Sequence, residues 1–131
     1  RNPLDNILSI LRANFPKGNE YTSSVSESAK LFLHQNEIMN KYKEQHRSNI
    51  FDLNYDLLVS NPEYEIPKLI SWLGWEWNDL YLSPHLSKRF VSTASNVQVR
   101  TPINSKSVGG WKNYTELLQP AIEILKNSNM I

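Results

Sequence analysis

The sequence contains no cysteine, which excludes disulfides, thiol chemistry and thiolate metal sites. It has only four glycines, Gly18, Gly74, Gly109 and Gly110. None stands in a GxxxxGK[ST] arrangement, so these residues cannot build a phosphate-cradling P-loop. A Gly-x-Ser-x-Gly nucleophile elbow is also missing. The three histidines, His34, His46 and His85, lie far apart and lack the spacing of a metal motif, so no metal is expected. No apolar run approaches the roughly 18 residues of a membrane-crossing helix, and no membrane partner is expected. The formal net charge is +1, without the basic excess of a broad nucleic-acid binder. Asp56 and Glu65 are acidic, but no carboxylate pair has a spacing that suggests acid–base work. A cytoplasmic location is the expectation.

What remains is enough for a packed core. The chain has 131 residues, 40% hydrophobic and 21% charged, which fits one domain or part of one. Asn2 is a good N-cap, Pro3 suits the first helical position, and Asp5 sits favourably in the first turn. Leu4, Ile7, Leu8, Leu11 and Phe15 follow at helical spacing and predict a core face. A long helix is expected from about Ser24 to Arg47. NIFDLNY (49–55) reads as a short strand ending at Tyr55. Asn61-Pro62 starts another helix, stopped by Gly74, in which Pro67 marks a kink or delays the regular start. Trp72, Trp75 and Trp77 read as core. Asn78-Asp79 caps a short helix interrupted by Pro84, and 90–104 reads as mostly irregular. Two short helices are expected in the tail, around Lys106–Leu118 and Pro120–Lys126. Helix dominates. A lone strand needs neighbours that this chain does not obviously supply.

Three stretches could carry chemistry. In RNPLDNILS (1–9) and the residues just after it, Asn2, Asp5, Ser9 and Arg12 step by three or four and share a polar helix face. A phosphate beside the first two turns could meet both the Arg1 guanidinium and the Ser9 hydroxyl. TASNVQVRTPINSKSVGGWKNY (93–114) sets small polar residues around Arg100, then Lys106, two glycines, Trp111 and Lys112. Such loops often wrap ligands, and adjacent glycines allow close backbone approach. Trp111 suits either stacking on a base or anchoring the following helix. NYDLLVSNPE (54–63) places Tyr55 at an expected strand end, where open α/β sheets border their ligand crevices. Each stretch also has a plain structural reading: a solvated face, a surface connection, a structural tyrosine.

In this order the three stretches resemble the C-terminal half of a sulfotransferase, nearest to the bacterial tetratricopeptide-associated kind and the related tyrosylprotein sulfotransferases. RNPLDNILS is similar to the family's 3′-phosphate motif, an arginine with a serine eight positions on. NYDLLVSNPEYEIPKLISWLGWEW is similar to its tyrosine-acid-x-leucine segment, Asn/Asp-Pro helix and leucine-glycine turn. TASNVQVRTPINSKSVGGWKNY is similar to its nucleotide-closing loop. The resemblance runs nearly from Arg1 to Leu125 and is weakest between Pro16 and Ser48.

The resemblance implies an α/β, P-loop NTPase-like sulfotransferase fold, with residues 1–131 a mostly helical C-terminal part of one domain. The N-terminal strands and the P-loop would lie upstream, and Arg1 would follow a sheet strand. It implies 3′-phosphoadenosine 5′-phosphosulfate (PAPS) as sulfuryl donor, an unknown hydroxyl or amine acceptor, and no metal. Arg1 and Ser9 would bind the 3′-phosphate and Tyr55 the nucleotide. Ser95 through Asn104 would wrap it, including Ser95, Gln98, Val99, Arg100 and Asn104. The sequence departs from the pattern at two places. Gly110 stands where relatives often carry lysine or arginine, leaving Lys112 or Lys106 to supply the charge. Ala13 stands where some relatives carry arginine, with Arg12 one step away. No catalytic residue is assigned, and the chain alone is expected to be inactive. Surface left bare by truncation would favour a homodimer. The alternative is a non-enzymatic helical interaction domain; a nucleotide kinase relative fits less well.

Overall fold

A computed structural model describes residues 1–13, 15, 18–87 and 98–131. They form two compact units, Arg1–Ile50 with Ser107–Ile131, and Phe51–Lys106.

The first unit is built on three helices. α1 spans Pro3–Ala13. Asn2 caps it as expected, its Oδ1 accepting from the amides of Leu4 at 2.9 Å and Asp5 at 3.4 Å. Leu4, Ile7 and Leu8 are buried, and Leu11 packs against them. Phe15 lies beyond the helix and is exposed. α2 spans Val25–Gln45, and its N-cap Ser24 accepts from Glu27 N at 3.3 Å. Its small buried residues are Ser28 and Ala29, and Ala29 in the apolar core lets the neighbouring helices approach. α5 (Thr115–Asn127, the last of five α-helices among the described residues) faces inward through Leu118, Ala121, Ile122 and Leu125, spaced i, i+3, i+4, i+7. α2 packs most extensively on α5, and α1 on both. The outer part of α2 extends beyond this core, leaving Ile38, Met39 and Tyr42 exposed.

The tail corrects the sequence reading. Where two short helices were expected, a 3-10 turn at Gly110–Tyr114 leads into a single α5 that runs through Pro120. The proline removes one amide donor, but burial of the four-residue apolar stripe outweighs one missing bond.

The strand expected over 49–55, where the chain passes from the first unit to the second, is absent. Asn49 closes a 3-10 turn (Arg47–Asn49), and Tyr55 opens a helix, α3 (Tyr55–Ser60), rather than ending a strand. Asn54 decides the matter locally, its Oδ1 accepting from Asp56 N at 2.9 Å and Leu57 N at 3.1 Å. α4 spans Pro62–Trp72 and is helical from Pro62, so Pro67 does not delay its start. Its end is a Schellman motif at Gly74 (φ 68°), with Gly74 N on Ser71 O and Trp75 N on Ile70 O. Ile66 and Ile70 are buried. The tryptophans are not core: Trp72, Trp75 and Trp77 are 44%, 58% and 44% exposed. Trp72 leans on Phe51, with ring centroids 5.5 Å apart. The Trp77 Nε1–H donates to Asp79 Oδ1 at 2.8 Å. Asn78 caps the 3-10 turn Asp79–Leu82 through Leu80 N, and another such turn follows at Pro84–Leu86.

Candidate functional site

Arg1 is exposed ahead of α1, and its Nη2 donates to the Ser107 carbonyl at 3.4 Å. Ser9 is exposed on the same helix. The shared polar face expected of Asn2, Asp5, Ser9 and Arg12 is divided. Ser9 and Arg12 are exposed, whereas Asp5 is 2% exposed. Its burial has a cause: Oδ2 accepts from Gly109 N at 2.7 Å and Oδ1 from Trp111 N at 2.9 Å. A buried carboxylate is tolerable when its lone pairs are met by N–H donors in this way.

The Gly-Gly pair makes those donors available. Gly109 adopts φ 72°, a left-handed conformation natural to glycine. Trp111 packs against the apolar core of the first unit, so it anchors the start of α5. Lys112 is exposed, and its Cε lies 3.9 Å from where a Cβ on Gly109 would sit. Arg1, Asp5, Ser107, Gly109 and Trp111 therefore form one linked group in the first unit. Sequence reasoning put Asp5 on the polar face and missed its burial against the Gly109 and Trp111 amides. The available signal was a glycine pair whose turned backbone presents N–H groups needing an anionic acceptor.

The other expected site residues belong to the second unit. Tyr55 is half-buried at the first position of α3. Gln98, Val99 and Arg100 form a 3-10 turn. The side chains of Val99 and Arg100 are exposed, and Arg100 donates to the Ser87 carbonyl. Asn104 is exposed and folds back into its own turn, donating to Pro102 O at 2.9 Å and accepting from Lys106 N at 3.3 Å. Ser95 lies outside the described residues. Among the described residues, no group of three or more His, Asp or Glu side chains is arranged to hold a metal ion. No helix among them is long and apolar enough to cross a membrane.

Comparison with known proteins decides the family. Residues 1–79 match the sulfotransferase family. The chain belongs to the sulfotransferase family. The matched stretch includes Arg1, Asp5, Ser9 and Tyr55 and ends before the 93–114 segment. Membership fits a P-loop-like fold in general, to which the described residues contribute helices, with no strand among them. A similar protein is an uncharacterized protein of Aquifex aeolicus (strain VF5), 37% identical over 89 residues. That alignment covers 68% of this chain and 12% of the relative, so the chain spans about an eighth of that protein's length. No solved structure gives a significant match.

Proposed function

We propose that this chain supplies the 3′-phosphate and nucleotide-binding part of a sulfotransferase that takes its sulfuryl group from PAPS. The observation that carries the reading is the family match over residues 1–79, which contains the Arg1–Ser9 pair. Both side chains are exposed and so accessible to a ligand. A guanidinium has five N–H donors, so a bond to the Ser107 carbonyl and a two-pronged grip on phosphate are compatible on one side chain. Lys112 adds a cation beside Gly109. In the second unit the reading assigns nucleotide contacts to Tyr55 and to the segment containing Ser95, Gln98, Val99, Arg100 and Asn104.

The chemistry follows the logic of in-line phosphoryl transfer. The acceptor oxygen or nitrogen forms a bond to sulfur as the bond from sulfur to the 5′-phosphate oxygen breaks. The electron pair leaves with that oxygen, giving adenosine 3′,5′-bisphosphate, and the acceptor proton passes to a base. The residues here hold the donor's 3′-phosphate and adenosine, and no group in this chain is assigned as the base. The chain by itself therefore binds nucleotide without transferring sulfate.

Calorimetric titration with adenosine 3′,5′-bisphosphate tests this. Binding is expected, weakened by Arg1→Ala and by Ser9→Ala, and poorly competed by ATP. No response to the nucleotide would leave the helical interaction domain as the better account. Effective competition by ATP would favour a kinase-like site.

A further inference from the structure

We infer that Asp5 is a positioning residue for the donor's 3′-phosphate, acting through the backbone of residues 107–111. The inference rests on the reading of Arg1 and Ser9 as the 3′-phosphate site. Asp5 itself faces away from solvent and is not proposed to touch the ligand.

The argument starts from which groups Asp5 and Arg1 hold. These two residues are four apart, Arg1 just ahead of α1 and Asp5 in its first turn. Arg1 donates to the Ser107 carbonyl, while Asp5 accepts from the amides of Gly109 and Trp111. A cation thus meets a backbone acceptor, and an anion meets two backbone donors. Three points along five consecutive residues are tied to the start of one helix.

Apolar packing alone does not require this arrangement. The contact of α1 with α5 is already made by Leu4, Ile7 and Leu8 against Leu118, Ala121, Ile122 and Leu125. Those side chains are non-directional in their attraction. They cannot fix the direction of the amides that precede α5. The carboxylate does so, with separate oxygens for each N–H and with Gly109 turned to φ 72° to present its own. Fixing that backbone fixes the carbonyl to which Arg1 donates, and so restricts where the guanidinium can lie. A phosphate ligand then meets a side chain that is already oriented, which reduces the ordering cost of binding.

This role differs from simple support of the fold in what it selects. Loss of general stability weakens every ligand alike. Loss of Arg1 positioning weakens only ligands that carry the 3′-phosphate. Asp5→Asn is the informative change, because it keeps the size of the side chain and at least one acceptor while placing an NH2 where a second acceptor is needed.

The experiment compares adenosine 3′,5′-bisphosphate with adenosine 5′-monophosphate on the whole 131-residue chain. The original chain is expected to prefer the bisphosphate. In Asp5→Asn that preference falls by about tenfold, equivalent to about 1.4 kcal/mol, while affinity for the monophosphate changes less than about twofold, as distant uncoupled changes do. Equal weakening for both nucleotides, or an unchanged preference, would overturn the role of Asp5 and leave the 3′-phosphate reading standing. Absence of any bisphosphate preference in the original chain would overturn both. A second measurement covers a variant that fails to fold. In the original chain, the bisphosphate and not the monophosphate should slow hydrogen exchange at the Gly109 and Trp111 amides. Identical exchange with the two nucleotides would sink the proposal.

Discussion

Trp111 and Asp5 are 106 positions apart in sequence, yet the backbone amide of Trp111 lies 2.9 Å from the Asp5 carboxylate. The Gly109 amide meets the other oxygen of the same group at 2.7 Å. Asp5→Ala leaves both donors without their acceptor. A destabilisation of about 2–3 kcal/mol is expected, since bonds to charged groups are the stronger kind and an unmet buried donor is costly. Urea denaturation followed by circular dichroism measures it. A loss under about 0.5 kcal/mol, the range of ordinary surface changes, would show that the pair contributes little.

The adjacent glycines should respond differently to a methyl group. Gly109 has φ 72°, and a Cβ there is strained even though its nearest neighbour, Lys112 Cε, is 3.9 Å away. Gly109→Ala should cost about 1–2 kcal/mol. Gly110 lacks a positive φ, and its Cβ would sit an ordinary 3.8 Å from Asp5 Oδ1. Gly110→Ala should stay within about 0.5 kcal/mol of the original. Thermal melts of the two variants check the order.

Pro120 lies inside α5 and is exposed. Replacing it restores an amide that can bond to the Glu116 carbonyl. Pro120→Ala should raise stability by about 2 kcal/mol: an interior proline costs about 3 kcal/mol, against which the freer unfolded chain returns about 0.4–1 kcal/mol. A lower melting temperature in this variant would contradict that account of α5.

On the outer part of α2, Lys41 Nζ lies 2.9 Å from Glu37 Oε1. The hydrogen bond from Lys41, reinforced by its charge, holds the Glu37 carboxyl below its ordinary value. The same bond raises Lys41. The Glu37 contribution is present above the usual glutamate range and is lost as pH falls through the lowered midpoint. The Lys41 contribution is present below the usual lysine range and is lost as pH rises through its raised midpoint. Carboxyl-detected NMR titration should find the Glu37 midpoint moving upward in Lys41→Ala. An unmoved midpoint would mean that the pair does not persist in solution.

The tryptophans give an optical check on burial. Trp72, Trp75 and Trp77 are each more than two-fifths exposed, whereas Trp111 packs against the first unit's core. Acrylamide should quench most of the emission, leaving a resistant component. Trp111→Phe should remove that component; its survival would place another tryptophan inside.

Local signals proved readable where a residue's partner is a few positions away. The Asn2 cap, the Ser24 start of α2, the Gly74 stop and the apolar stripe of α1 all depend on neighbours within one or two turns. Residues 49–55 misled because aromatic and branched side chains suit a strand, while the Asn54 cap two donors long favours a helix at Tyr55. Pro120 misled because propensity is local and the stripe that overrides it is buried against other helices. The tryptophans misled because apolar character does not say what covers a side chain. The family was legible through the resemblance of three short motifs, and the match over residues 1–79 agrees with it. The burial of Asp5 was not legible, because its partners come at the far end of the sequence.

The first unit draws on residues 1–50 and 107–131, with the second unit encoded between them. A ribosome making this chain releases Leu4, Ile7 and Leu8 long before Leu118 and Leu125 exist to cover them. Their greasy face must wait, shielded by a chaperone or by transient contacts, until translation has passed through the whole intervening stretch. Codon-dependent pauses between α2 and α5 would lengthen that wait, so the yield of folded protein should depend on how quickly α5 is made.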